Sequence, residues 1–118
     1  EINCGGAMLF HFNRRAREGA PLKAADLDKL EVAHSMPEVV DPEIKDPVTW
    51  TVEVRLPFNV IGNYFPLQKP VAGTLWRANV YKCADQTSHP HWLTWSKVEH
   101  PYPDFHRPEY FGTLKFGE

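Results

Sequence analysis

The stretch Val48-Thr49-Trp50-Thr51-Val52-Glu53-Val54-Arg55-Leu56 decides the fold class of this chain. Val48, Trp50, Val52, Val54 and Leu56 fall on one side of an extended backbone. Thr49, Thr51, Glu53 and Arg55 fall on the other. Strict alternation with a period of two is the pattern of a strand with one face on a core. Pro47 and Pro57 bracket it, and proline donates no ladder hydrogen bond.

The same reading extends outward along the chain. Leu75 to Cys83 forms a second strand, with Trp76, Ala78 and Val80 toward the core and Arg77, Asn79 and Tyr81 on the opposite face. His91 to Trp95 and Phe111 to Phe116 are shorter strands, and Ile2 to Phe12 makes a fifth. Ala24 to Leu30 is long enough for two helical turns that rest on Leu27 and Leu30; the rest of Asn13 to Asp46, and Val60 to Pro70, read as loop. Eleven prolines against seven glycines, with 13% aromatic residues, suit short strands joined by stiff loops. The expected class is all-β, a two-sheet antiparallel β-sandwich of immunoglobulin-like or jelly-roll kind. Five strands are few for two packed sheets, and the chain opens inside a strand. Residues 1–118 are therefore expected to form part of one domain, completed by a preceding segment or a second chain.

Composition excludes several functions. A chain of 118 residues with 42% apolar content can bury one modest core, and no apolar run approaches the ~20 residues of a membrane span. A formal net charge of −2 provides no basic face for nucleic acid. No nucleophile elbow, phosphate loop or HExxH occurs, so no catalytic residue is expected. Asp104 and Glu109 flank Phe105 on a loop, where solvation or bonding to nearby amides is the simpler role for carboxylates. Cys4 and Cys83 both fall on expected strands. Paired, they would close a loop of about eighty residues and stabilise the fold by about 4 kcal/mol; unpaired, they would be small buried thiols.

Chemistry concentrates between Cys83 and Gly112, where His89, His91, His100 and His106 lie among Trp92, Trp95, Tyr102, Phe105, Tyr110 and Phe111. His89-Pro90-His91 has a spacing that can bring two imidazoles together, and Glu99 follows. That glutamate lies too far along for a cupin-type metal site, and Pro90 disturbs the strand, so no metal ligands are assigned. Hydrogen-bonding spacers are the expected role of these histidines. The alternative chemistry is sugar binding. The C–H face of a pyranose packs on an aromatic ring, and its hydroxyls require amide or guanidinium partners. Asn79, Tyr81, Tyr102, Phe105 and Arg107 supply that mixture, while Trp50, Trp76, Trp95 and Phe111 are assigned to the core.

Four segments occur in a familiar order: Trp50 to Pro57, Trp76 to Cys83, Leu93-Thr94-Trp95-Ser96, and Pro103 to Leu114. The last contains aromatic-x-x-Pro-x-x-Phe-Gly-x-Leu, from Phe105 to Leu114. Together they resemble family 9 carbohydrate-binding modules, over about Glu1 to Phe116 and the C-terminal half to two-thirds of that family's domain. The resemblance implies a noncatalytic β-sandwich that holds a sugar between two aromatic rings. One ring precedes the closing proline by three residues, at Phe105; the other would lie in the N-terminal part of the family domain. It further implies an amide at Asn79 and an arginine among Arg14, Arg15 and Arg17, with Arg14 favoured. It implies no organic cofactor, calcium in some members, and a secreted, periplasmic or bacterial cell-surface location, including as a module of a glycan-degrading protein. Two alternatives stand beside this reading. One is an interaction domain that kept the sandwich and lost the sugar, marked by His106 or Tyr102 over Phe105. The other is an accessory region of a glycoside hydrolase.

Overall fold

A computed structural model describes residues 1–117. Its elements, in chain order, are β1 (His11–Arg15), β2 (Glu18–Pro21), α1 (Ala24–Leu27), β3 (Glu31–His34), β4 (Val52–Arg55), α2 (Phe58–Gly62), β5 (Leu75–Ala78), β6 (Tyr81–Ala84), β7 (His91–Thr94) and β8 (Gly112–Lys115), with a 3-10 turn at Pro108–Tyr110. The strands pair antiparallel as β1–β2, β3–β4, β5–β8 and β6–β7. This is the mostly-strand antiparallel architecture expected of an incomplete β-sandwich. The chain forms two compact units, Glu1–Gln68 and a second from Lys69 onward.

The first unit holds the buried core. Leu22, Leu30 and Val60 are buried, and Met8, Phe10, Phe12, Leu27, Leu56 and Tyr64 pack around them. Val60, at 0% exposure, lies on α2, in a stretch that reads as loop from sequence. A five-residue helix is too short to display a 3.6-residue period; only the extended Pro57 at its N-cap announces it. The ring of Phe12 stacks on Tyr64 with centroids 4.3 Å apart. The decisive strand is shorter than its pattern. Only Val52–Arg55 pairs with β3, Trp50, Val52 and Leu56 are half-buried, and Val48 and Val54 are exposed. A two-stranded ribbon covers few of its own side chains. Its partner β3 falls in the region read as loop.

The segment Ile2 to Phe12 is a folded-back turn rather than one strand. Ile2 bridges Met8, and the Asn3 side-chain oxygen accepts the amides of Gly5 (3.1 Å) and Ala7 (2.8 Å). Gly6 has φ +85°, and a Cβ there would come within 2.5 Å of the His34 ring, so glycine is required on both counts.

One polar group is buried beside this core. The carboxylate of Asp26 on α1 accepts from Lys29 Nζ (2.8 Å), Asn63 Nδ2 (3.0 Å) and the Tyr64 hydroxyl (3.0 Å), and that hydroxyl accepts the amide of Lys23 (2.9 Å). These bonds tie α1 to the residues following α2. The Lys29 ammonium first, then the Tyr64 and Asn63 donors, hold the Asp26 carboxyl below its ordinary 3.8 against the opposing effect of burial. A carboxylate with a lowered folded-state pKa stabilises above that ordinary value and loses the contribution as pH falls through the folded value. Calorimetric melting points at pH 7 and pH 3 will therefore drop further for the wild-type chain than for Asp26→Asn.

Candidate functional site

In the second unit, β5 and β6 were expected as one continuous strand, and the backbone breaks that strand at Asn79-Val80. The break is held by the Asn79 side chain. Its Oδ1 accepts the amides of Ser96 (2.8 Å) and Val80 (2.9 Å), and its Nδ2 donates to the Ser96 carbonyl (2.9 Å). The primary amide thus does for Ser96 what a paired backbone residue would do, and extends the β6–β7 ribbon beyond Thr94. Val80, expected in the core, turns out at 65% exposure because the ladder changes partner there.

The β5–β8 pair places Trp76 opposite Leu114 and Ala78 opposite Gly112, and Trp76 meets the edge of Phe116 at 4.9 Å. Trp76 and Phe111 are half-buried, in line with a packing role. Trp95 differs: it is 56% exposed, because its ring edge lies on a glycine rather than under a second layer of side chains. A Cβ on Gly112 would meet Trp95 Cζ3 at 3.0 Å, a tight contact that favours glycine at this place in the closing pattern. Arg77 binds that pattern to β5, donating from Nε to the Phe111 carbonyl (2.9 Å) and from Nη2 to the carbonyls of Phe111 and Glu109.

Phe105 is half-buried and stacks on Tyr81, centroids 4.4 Å apart and planes 14° from parallel. One face of the ring is therefore backed by Tyr81. The Tyr81 hydroxyl is buried and makes no hydrogen bond. Two residues beyond Phe105, Arg107 is fixed on three sides. Its Nε donates to Asp104 Oδ2 (2.9 Å), Nη2 donates to His100 Nε2 (2.8 Å), and Nη1 lies 3.5 Å from Glu109 Oε1. Because guanidinium only donates, His100 must accept at Nε2, and its Nδ1–H then donates to the Tyr102 carbonyl at 2.8 Å. Asp104 also accepts the amide of His106 (3.1 Å), so its expected bonding to nearby amides is present.

Phe105, Tyr81 and the Arg107 network thus occupy one unit, and Tyr102 joins them through His100. Its ring stands edge-on to His100 at 6.3 Å and is 73% exposed. Asn79 lies in the same unit with most of its bonding capacity already engaged. Arg14 lies on β1 of the other unit. Cys4 and Cys83 are free thiols, the first half-buried and the second exposed on β6, so Cys83 is not the buried thiol that sequence allows. Among the described residues no group of three or more His, Cys, Asp or Glu side chains converges. His91 Nδ1 donates to the His89 carbonyl (2.7 Å), a spacer's role. Among the described residues no helix is long and apolar enough to cross a membrane. His100 is a hydrogen-bonding residue, as expected of these histidines, but nothing in its spacing announces Arg107 as its partner.

Comparison with known proteins gives a consistent result. The family model for carbohydrate-binding family 9 matches residues 1–116. A crystal structure of a candidate carbohydrate-binding protein from Bacteroides uniformis ATCC 8492 is similar, with a TM-score of 0.70 and 25% sequence identity. The similarity covers 98% of this chain and 52% of that one, so this chain spans about half the length of its structural relative. No curated protein matches the sequence.

Two stability measurements follow from this geometry. Asn79→Ala leaves the amide and carbonyl of Ser96 without partners, and chemical denaturation will show a loss of about 1–3 kcal/mol. Tyr81→Phe removes a buried hydroxyl that has no partner and keeps the stacked ring, so the same measurement will show equal or greater stability, by about 1 kcal/mol.

Proposed function

The chain belongs to carbohydrate-binding family 9, and from that premise we propose that it binds a saccharide without acting on it, on the surface centred on Phe105. The observation that carries this reading is that Phe105, on the same loop as the pinned Arg107, stacks on Tyr81 of β6. A pyranose needs a flat apolar ring for its C–H face and planar donors for its hydroxyls. Tyr81 stiffens the ring from behind. Asp104 and His100 take two of the N–H groups of Arg107 and Glu109 pairs with its charge, which leaves N–H groups of the five for a ligand.

The roles then divide. Phe105 stacks on the sugar, Arg107 donates to its hydroxyls, and Tyr102 offers an exposed phenol nearby in sequence. Tyr81 and Asn79 act as positioning residues, one under the platform and one at the start of the ribbon that carries it. The surface is built wholly from second-unit residues, and Arg14 is not needed for it. The setting we infer is a module of a secreted, periplasmic or bacterial cell-surface glycan-processing protein, because polysaccharides are met there. The unmatched half of the structural relative leaves room for further chain in such a protein.

Glycan-array screening followed by titration calorimetry tests the reading. Phe105→Ala is expected to weaken the best ligand at least about tenfold, which is about 1.4 kcal/mol. Arg107→Lys keeps the charge but loses the planar donor set, and is expected to weaken it several-fold. Unchanged affinity in Phe105→Ala removes that ring from the site.

A further inference from the structure

The β6–β7 ribbon carries a second large aromatic on the face that Tyr81 occupies. Tyr81 is paired with Thr94, and Cys83 with Trp92. Residues opposite each other across an antiparallel pair, and residues two apart along a strand, share a face. Tyr81, Cys83, Trp92 and Thr94 therefore line one face, and Lys82, Ala84, His91 and Leu93 the other. Trp92 is the diagonal neighbour of Tyr81, a separation of roughly 7–8 Å between backbones. Trp92 is 43% exposed, and the thiol-bearing residue directly opposite is exposed as well. The other tryptophan with a paired strand partner, Trp76, is packed against Phe116. An open indole on a strand face presents a flat C–H-binding surface together with one N–H donor, and here it continues the surface begun by the Phe105–Tyr81 stack.

We propose that Trp92 is a second stacking platform, adjacent to Phe105, so that this face takes a saccharide of two or more linked units rather than a single ring. The proposal rests on the reading of Phe105 as the first platform. In it, one sugar unit lies on Phe105 within reach of Arg107, and the next lies on Trp92 with the Thr94 hydroxyl beside it. Chain length thereby becomes a determinant of affinity.

The test uses the full chain and matched mono-, di- and tetrasaccharides of glucose, xylose and mannose, with calorimetry as the readout. The wild-type chain should bind a disaccharide at least about tenfold more tightly than its monosaccharide. Trp92→Ala should abolish that gain and leave monosaccharide affinity within about twofold, while Phe105→Ala weakens both. Trp92→Phe guards against a folding defect and should give an intermediate gain. The wild-type chain should also show a tryptophan emission shift with the tetrasaccharide that Trp92→Phe lacks. If Trp92→Ala leaves every affinity unchanged while Phe105→Ala weakens binding, the second platform is overturned and the first stands. If Phe105→Ala is also silent, or no saccharide of the series binds, both fall. Self-association of the wild-type chain in sedimentation that Trp92→Ala abolishes, with sugar affinity unaltered, would overturn the platform in favour of a contact between copies.

Discussion

A side-chain amide at position 79 holds both backbone groups of Ser96, and the form of the second unit depends on that contact. The underlying constraint is general in this chain. Every strand is four or five residues long, so ladders satisfy only a small part of the backbone. The remaining amides and carbonyls must be paired in other ways. Asn3 does this at the first turn, Ser35 takes the amide of Thr51 just before β4, Arg77 collects the carbonyls before β8, and Asn79 extends β7. Side chains of this kind fix loop shape, and loop shape positions Phe105 and Arg107.

Burial divides differently between the units. The first has Leu22, Leu30 and Val60 with their half-buried neighbours, and around them a carboxylate with three donors. In the second, among the described residues, no side chain is fully buried. Its strands are held by partial contacts such as Trp76 on Phe116, Trp95 on Gly112 and Phe105 on Tyr81. Large aromatics that are only half covered give the unit both its packing and its exposed recognition surface.

What the sequence made legible follows the range of each signal. Period-two alternation is local, so β4, β5, β7 and β8 lie inside the segments that predict them; the helix expected over Ala24 to Leu30 is one turn, Ala24–Leu27, rather than two, although Leu27 and Leu30 both pack at the core. Alternation says nothing about how many strands will flank a given one, and Val48, Val54 and Val80 are therefore exposed despite their pattern. The Gly5-Gly6 reversal was hidden because its glycine requirement comes from His34, distant in sequence. At the site, the closing motif was readable as a motif and its contacts were not: Gly112 lies tight against Trp95, and Phe105 stacks on Tyr81. Asn79 was chosen for the hydrogen-bonding capacity of its amide, and that capacity is used chiefly within the protein. The Arg107–His100 contact arises only once both loops are folded.

The three neighbours of Arg107 bear on the thermodynamics of recognition. A long cationic side chain on an open loop samples many rotamers, and a ligand that grips it must restrict that motion at a cost of about 0.5–1.5 kcal/mol. Here Asp104, His100 and Glu109 have already restricted it in the free chain. The entropy loss belongs to folding, and a partner arriving at the remaining N–H groups meets a stationary target.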